Sequence, residues 1–183
     1  MNQKQKHYFI AIELDAKTKK WLYDNQQAIK HHFHFKNWVE EEDFHITLHF
    51  FGAVESSLLH TIGEELKQLT NQSFPLKLVG LSTFGLANKP RVLWVGVEKT
   101  PLLIQLHADI IQIVERYVPI DKRPFRPHIT LGKKWSSDHP LTDLDILHYP
   151  TGEHLTNVNS IVIYEIHPDK QQKYQVWRHY QLK

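Results

Sequence analysis

There is no cysteine among the 183 residues. Disulfides, thiolate zinc sites and a cysteine nucleophile are therefore excluded, and the chain is at ease in a reducing cytosol. Long apolar runs are missing too. The N-terminal "HYFIAIEL" stays apolar only briefly before Glu13, too short for the core of a signal peptide, and no segment reaches the length of a membrane span. Nor is there a run of Lys and Arg: the net charge is +2 and the pI about 8.7, a balance better suited to a small anionic group than to tracking a long duplex. No Gly/Ser linker or low-complexity stretch divides the chain, so a single domain of two interlocked lobes, residues 1–183, is expected. These absences predict a cytoplasmic protein without membrane contact; a monomer without an obligate protein partner is the default expectation.

Histidine, by contrast, is plentiful, with 14 residues, and it is the side chain whose ordinary pKa places proton exchange near neutrality. Hydrophobic residues at 41% and charged residues at 23% are ordinary for a globular domain. In "HYFIAIEL", Tyr8, Ile10, Ile12 and Leu14 alternate with Phe9, Ala11 and Glu13, the period of a strand. Asp15 then caps an expected helix through "AKTKKWLYDNQQAIKHHF". "FHITLHFFG" reads as a strand, and "ESSLLHTIGEELKQLTN" as an amphipathic helix. "FPLKLVGLSTFG" and "PRVLWVGVE" read as strands around the turn "LANKP". Pro101 opens a helix through "PLLIQLHADIIQIVERYV", and "RPHITLGKK" is a strand entered through proline. A loop-rich connection with room for a short helix follows, and "HLTNVNSIVIYEIHP" and "YQVWRHYQL" are expected as two closing strands. Mixed helices and hairpin-like strands predict an α+β fold with mainly antiparallel sheets.

The tetrapeptide His-Ile-Thr-Leu occurs twice, with His45 and His128 separated by 83 positions. Chance recurrence is on the order of one in a hundred, which favours duplication or shared chemistry. Strand periodicity puts His45 and Thr47 on one face, with Ile46, Leu48 and Phe50 on the other; the same parity pairs His128 with Thr130. If the halves are related by an approximate two-fold axis, each contributes one imidazole and one hydroxyl to the same place. A neutral imidazole can take a proton from water while a protonated one gives a proton to a leaving group, and hydroxyls can hold an anion between them. That set suits phosphodiester cleavage and demands no metal or other cofactor.

Other chemistries are less well served. His45 and His49, four apart, would stand about 13 Å apart along a strand, and neither a thiolate nor "HExxH" supports zinc. "HHFH" at 31–34 reads as solvated surface after a helix. A serine hydrolase lacks its "GxSxG".

With "YFIAIEL", "NWVEEEDFHITLHFFG", "PRVLWVGV" and "FRPHITLGK" in that order, the whole chain resembles the two-histidine phosphoesterases, and among them the RNA 2′,3′-cyclic phosphodiesterases, also called 2′-5′ RNA ligases. The resemblance implies a bilobal fold with pseudo-two-fold related lobes, outer helices and a central cleft, one His-x-Thr motif from each lobe. It implies metal-independent opening of a 2′,3′-cyclic phosphate on RNA 3′ ends or cyclic nucleotides to a 2′-phosphate. His45 would serve as acid and His128 as base, or the reverse. Thr47 and Thr130 would hold phosphate oxygens, and Phe9 would stack on the terminal base. Where close relatives carry arginine, this chain has Lys133, which keeps the charge but lacks the planar two-pronged grip. Arg126 shares the parity of His128 and is a second candidate for the phosphate, while Arg91 and Trp94 are candidates for cleft lining or core. Two alternatives stand beside hydrolysis: the reverse joining of 2′-5′ ends, and a non-catalytic module that holds a nucleotide or RNA end.

Overall fold

The computed structural model describes residues 6–142 and 152–183. The short helix allowed for in the loop-rich connection after "RPHITLGKK" falls partly on 143–151, outside the described residues. Nine strands and three helices run in the order β1 (His7–Glu13), α1 (Ala16–Ile29), β2 (Phe35–Trp38), β3 (His45–Ala53), α2 (Ser56–Leu66), β4 (Phe74–Gly85), β5 (Pro90–Val97), α3 (Pro101–Val114), β6 (His128–Trp135), β7 (Glu153–Val158), β8 (Ser160–Ile166) and β9 (Tyr174–Gln181) among the described residues. They form two sheets, β3-β1-β8-β9 and β2-β6-β5-β4-β7, antiparallel at every pairing. The α+β expectation holds. No helix among the described residues is long and apolar enough to cross a membrane.

Local chemistry accounts for the helix starts. Asp15 accepts a hydrogen bond from the Thr18 amide at 2.7 Å, and Thr100 accepts one from the Leu103 amide at 3.2 Å with Pro101 in the first turn, so each N-terminus has an orphan donor satisfied. α1 ends at Ile29, four residues earlier than its periodicity predicts. Buried Phe33 and Phe35 there alternate with exposed His34, a strand period, and β2 pairs with β6. His31, His32 and His34 are exposed, as surface residues should be.

The two sheets draw on both ends of the chain. They are not consecutive halves: the first sheet joins N-terminal β1 and β3 to C-terminal β8 and β9, and the second takes β2 and β7 into the middle of the chain. The expected single strand "HLTNVNSIVIYEIHP" is two, β7 in one sheet and β8 in the other, parted at Asn159. Because β8 is buried on both faces, its continuous apolar run carries no change of period to mark where it begins.

A shift of 83 residues carries β1, α1 and β3 onto β5, α3 and β6 to within two residues. The pairing register follows the same shift. Glu13 faces His45 and Ala11 faces Thr47, while Gly96 faces His128 and Trp94 faces Thr130. Even the irregularity recurs: Ile10 pairs with His49, passing over Leu48, and Leu93 pairs with Gly132, passing over Leu131. A bulge of this kind reverses the alternation of faces beyond it. Phe50, expected in the core, is consequently 55% exposed, and His49 turns inward with only 6% exposed. In β6 the same bulge carries Lys133 to the face occupied by His128 and Thr130, which simple alternation would have denied it.

Candidate active site

The two His-Ile-Thr segments line one cleft of about 360 Å³, together with Phe9, Phe50, Lys133 and Tyr174. β3 supplies one pair and β6 the other, so the site lies where the two sheets meet. Each imidazole is held in the same way. His45 Nδ1 donates to the carbonyl of Asp43 at 2.7 Å, and His128 Nδ1 donates to the carbonyl of Arg126 at 2.7 Å. A carbonyl can only accept, so Nδ1 carries the hydrogen in both rings and each Nε2 is the atom left for chemistry. Thr47 Oγ1 lies 3.0 Å from His45 Nε2, and in the neutral ring the hydroxyl donates.

The His45 pKa is lowered to about 4, chiefly by burial; the hydrogen bond to the Asp43 carbonyl opposes this, and the positive charges of Lys133 and, when protonated, His128 add to the lowering. His128 is lowered by burial and then by Lys133. Lys133 is itself lowered by burial and by Lys173, against the attraction of Asp43. Charge removed from water, with like charge beside it, favours the neutral rings. A negative charge placed in the cleft would oppose the repulsion from Lys133 and favour the protonated rings. Replacing Lys133 with Gln should raise the pKa of both imidazoles, followed by NMR of the ring nitrogens across pH, whereas Lys133→Arg should leave them low. Unchanged titration in the Gln variant would show that Lys133 does not set the field of the site.

Two supporting groups escaped the sequence reading. Asp43 is 4% exposed and accepts from the backbone amides of Lys173 at 2.9 Å and Tyr174 at 3.2 Å, tying the start of β9 to the segment that orients His45. Gln26 of α1 donates to the carbonyls of Val39 at 2.8 Å and Leu131 at 3.0 Å, fixing β2 and β6 beside the cleft. Neither has a local signature, because each acts across more than 100 residues of chain.

Phe9 reaches the cleft but is only 3% exposed. Its ring is enclosed by His45, Tyr164 and Tyr174 at centroid distances of 4.7, 5.3 and 5.0 Å. Phe50 is the exposed aromatic there. Arg126 and Arg91 do not line this cleft; both line a second groove beside it. Trp94 backs the second histidine, its ring 5.8 Å from His128. Among the described residues no three His, Cys, Asp or Glu side chains are grouped so as to hold a metal ion, and His49, inside the bulge, faces away from His45 toward the second groove.

Comparison with known proteins adds four findings. The family model of the 2'-5' RNA ligase superfamily matches residues 19–169. The RNA 2′,3′-cyclic phosphodiesterase of Geobacillus stearothermophilus is 33% identical over 175 residues, 94% of this chain and 56% of the relative, so the chain spans a little over half that protein's length. The Bacillus subtilis protein of the same name is 28% identical over 183 residues, covering 96% of each chain. Among solved structures, E. coli LigT in complex with 3′-AMP superimposes with a TM-score of 0.78 at 22% identity, over 97% of this chain and 98% of the other.

Proposed function

Because the chain belongs to the 2'-5' RNA ligase superfamily, we propose that it is an RNA 2′,3′-cyclic phosphodiesterase that opens the cyclic phosphate to a 2′-phosphate by two-histidine acid–base catalysis without metal. One observation carries the reading. Two imidazoles from different sheets line a single small cleft, each with Nδ1 tied to the carbonyl two residues before it, and His45 Nε2 is met by the Thr47 hydroxyl of its own motif. The relatives' names support the same reaction class, and the shared register of β1-β3 and β5-β6 supports a duplicated unit within one two-lobed domain.

The phosphorus of the substrate is bonded to O2′ and O3′ of one ribose. His128 Nε2 takes a proton from water as the water oxygen bonds to phosphorus. The bond from phosphorus to O3′ breaks, and His45 gives its Nε2 proton to the departing O3′, leaving the phosphate on O2′. Thr47, Thr130 and Lys133 hold the non-bridging oxygens, whose charge grows as water adds. With a pKa of about 4 in the free cleft, His45 becomes a protonated donor when the phosphate charge offsets its burial. The pH optimum of kcat/KM, which reports the free site, is therefore displaced to lower pH than that of kcat.

The test is incubation of the purified protein with a 2′,3′-cyclic-phosphate oligonucleotide in EDTA. Quantitative conversion to a 2′-phosphate is expected. A 3′-phosphate product, or activity that chelation abolishes, would overturn the proposal.

A further inference from the structure

Beside the catalytic cleft lies a groove of about 830 Å³, more than twice its volume, and Thr47, Phe50 and His128 line both. The two spaces are continuous at the reacting histidine. A substrate confined to the terminal nucleotide leaves the larger one unused. Its wall is cationic: Arg91, Arg123 and Arg126 all line it. Arg123 is taken by Asp121, with Nε 2.8 Å from Oδ2. Arg91 and Arg126 make no ion pair among the described residues, so their charge is available, in a chain whose net charge is only +2. Flat aromatic surface accompanies that charge. Phe125 lies against His107 with centroids 3.8 Å apart and planes 8° from parallel, and Phe84 stands edge-on to His128 at 4.9 Å. The buried His49 lines the groove as well, and its Nε2 has no hydrogen-bond partner among the described residues.

Arginines beside partly buried aromatic rings, Phe84 and Phe125, are equipment suited to single-stranded RNA. On the phosphodiesterase reading above, we propose that this groove binds the nucleotides immediately preceding the cyclic phosphate in the same strand, making the protein selective for oligonucleotide ends over free cyclic mononucleotides. Arg91 and Arg126 pair with the backbone phosphates, and Phe125 carries a base.

Turnover of a cyclic mononucleotide, dinucleotide and tetranucleotide separates this inference from the one it rests on. Hydrolysis of any of them supports the reaction; only the ratio between lengths reports on the groove. The ratio of kcat/KM for tetranucleotide to mononucleotide is expected to exceed about 10-fold through KM. Arg91→Gln should bring it most of the way back to one, and Arg91→Lys should retain most of it. In parallel, anisotropy of a 5′-labelled tetranucleotide bearing a 2′-phosphate measures the groove even if no length is hydrolysed. The slope of log affinity against log salt should shrink by about 0.7 for the Gln variant. Equal kcat/KM at all lengths, or a ratio and slope indifferent to Arg91→Gln, would overturn the proposal.

Discussion

His45→Ala and His128→Ala are each expected to lower kcat on a cyclic-phosphate oligonucleotide by about 10²–10⁴-fold, or roughly 3–5 kcal/mol of transition-state stabilisation. The bridging oxygen cannot leave well without a proton, and water attacks poorly without losing one. Thr47, Thr130 and Lys133 still line the cleft in either variant, so KM should move far less than kcat. Because both transfers belong to one transition state, the double variant should fall little below the worse single variant, short of the product of the two losses. Thermal melting serves as the control, since both rings lie on the cleft and outside the main apolar cluster. If either single variant kept turnover within 10-fold of the parent, that ring would not be a proton carrier in the reaction.

Acid should destabilise the fold at a milder pH than carboxylate protonation alone would require. His45 and His49 both have pKa values of about 4, for which burial is the first cause. For His49 the other groups nearby are His107, which lowers the value further, and Asp121, which opposes. In the unfolded chain both return to about 6.5. Between those limits the unfolded state binds protons that the folded state refuses, so stability is complete above about 6.5, falls as pH drops, and levels off near 4. Each unit of pKa difference corresponds to about 1.4 kcal/mol, which gives on the order of 3 kcal/mol for His49, a large part of an ordinary domain's stability. Denaturant unfolding of the parent and of His49→Leu at pH 7.5 and 5.0 is the measurement. The Leu variant removes an unpaired buried nitrogen, so it should be no less stable at pH 7.5 and clearly more stable than the parent at pH 5.0. Parallel losses in the two proteins would show that His49 does not contribute to acid sensitivity.

How much of this was written in the chain differs from element to element. β1, β4 and β5 follow from alternation, and the starts of α1 and α3 from side-chain caps and a first-turn proline, all of which act within a few residues; α2 starts without a side-chain cap. The repeated His-Ile-Thr-Leu marked the histidine and threonine pairs that line one cleft, and the parity of His45 with Thr47 and of His128 with Thr130 follows from the geometry of any strand. Parity failed beyond the bulges. Passing over Leu48 and Leu131 exposes Phe50, buries His49 and brings Lys133 to the cleft. A bulge is fixed by the partner strand's register, and no local composition marks it.

The sequence by itself determined which groups can exchange protons, that no thiol chemistry is available, and that the core is built on alternating apolar positions. Only the tertiary structure decided that the strands interlace between the sheets, that Asp43 and Gln26 brace the site, that Phe9 is enclosed while Phe50 is open, and that Arg91 and Arg126 belong to a neighbouring groove. The division has one physical cause. Hydrogen bonding, capping and strand parity are short-range properties of the backbone, whereas the sharing of one cleft by residues 83 positions apart depends on the free energy of packing the two sheets together, to which the whole chain contributes.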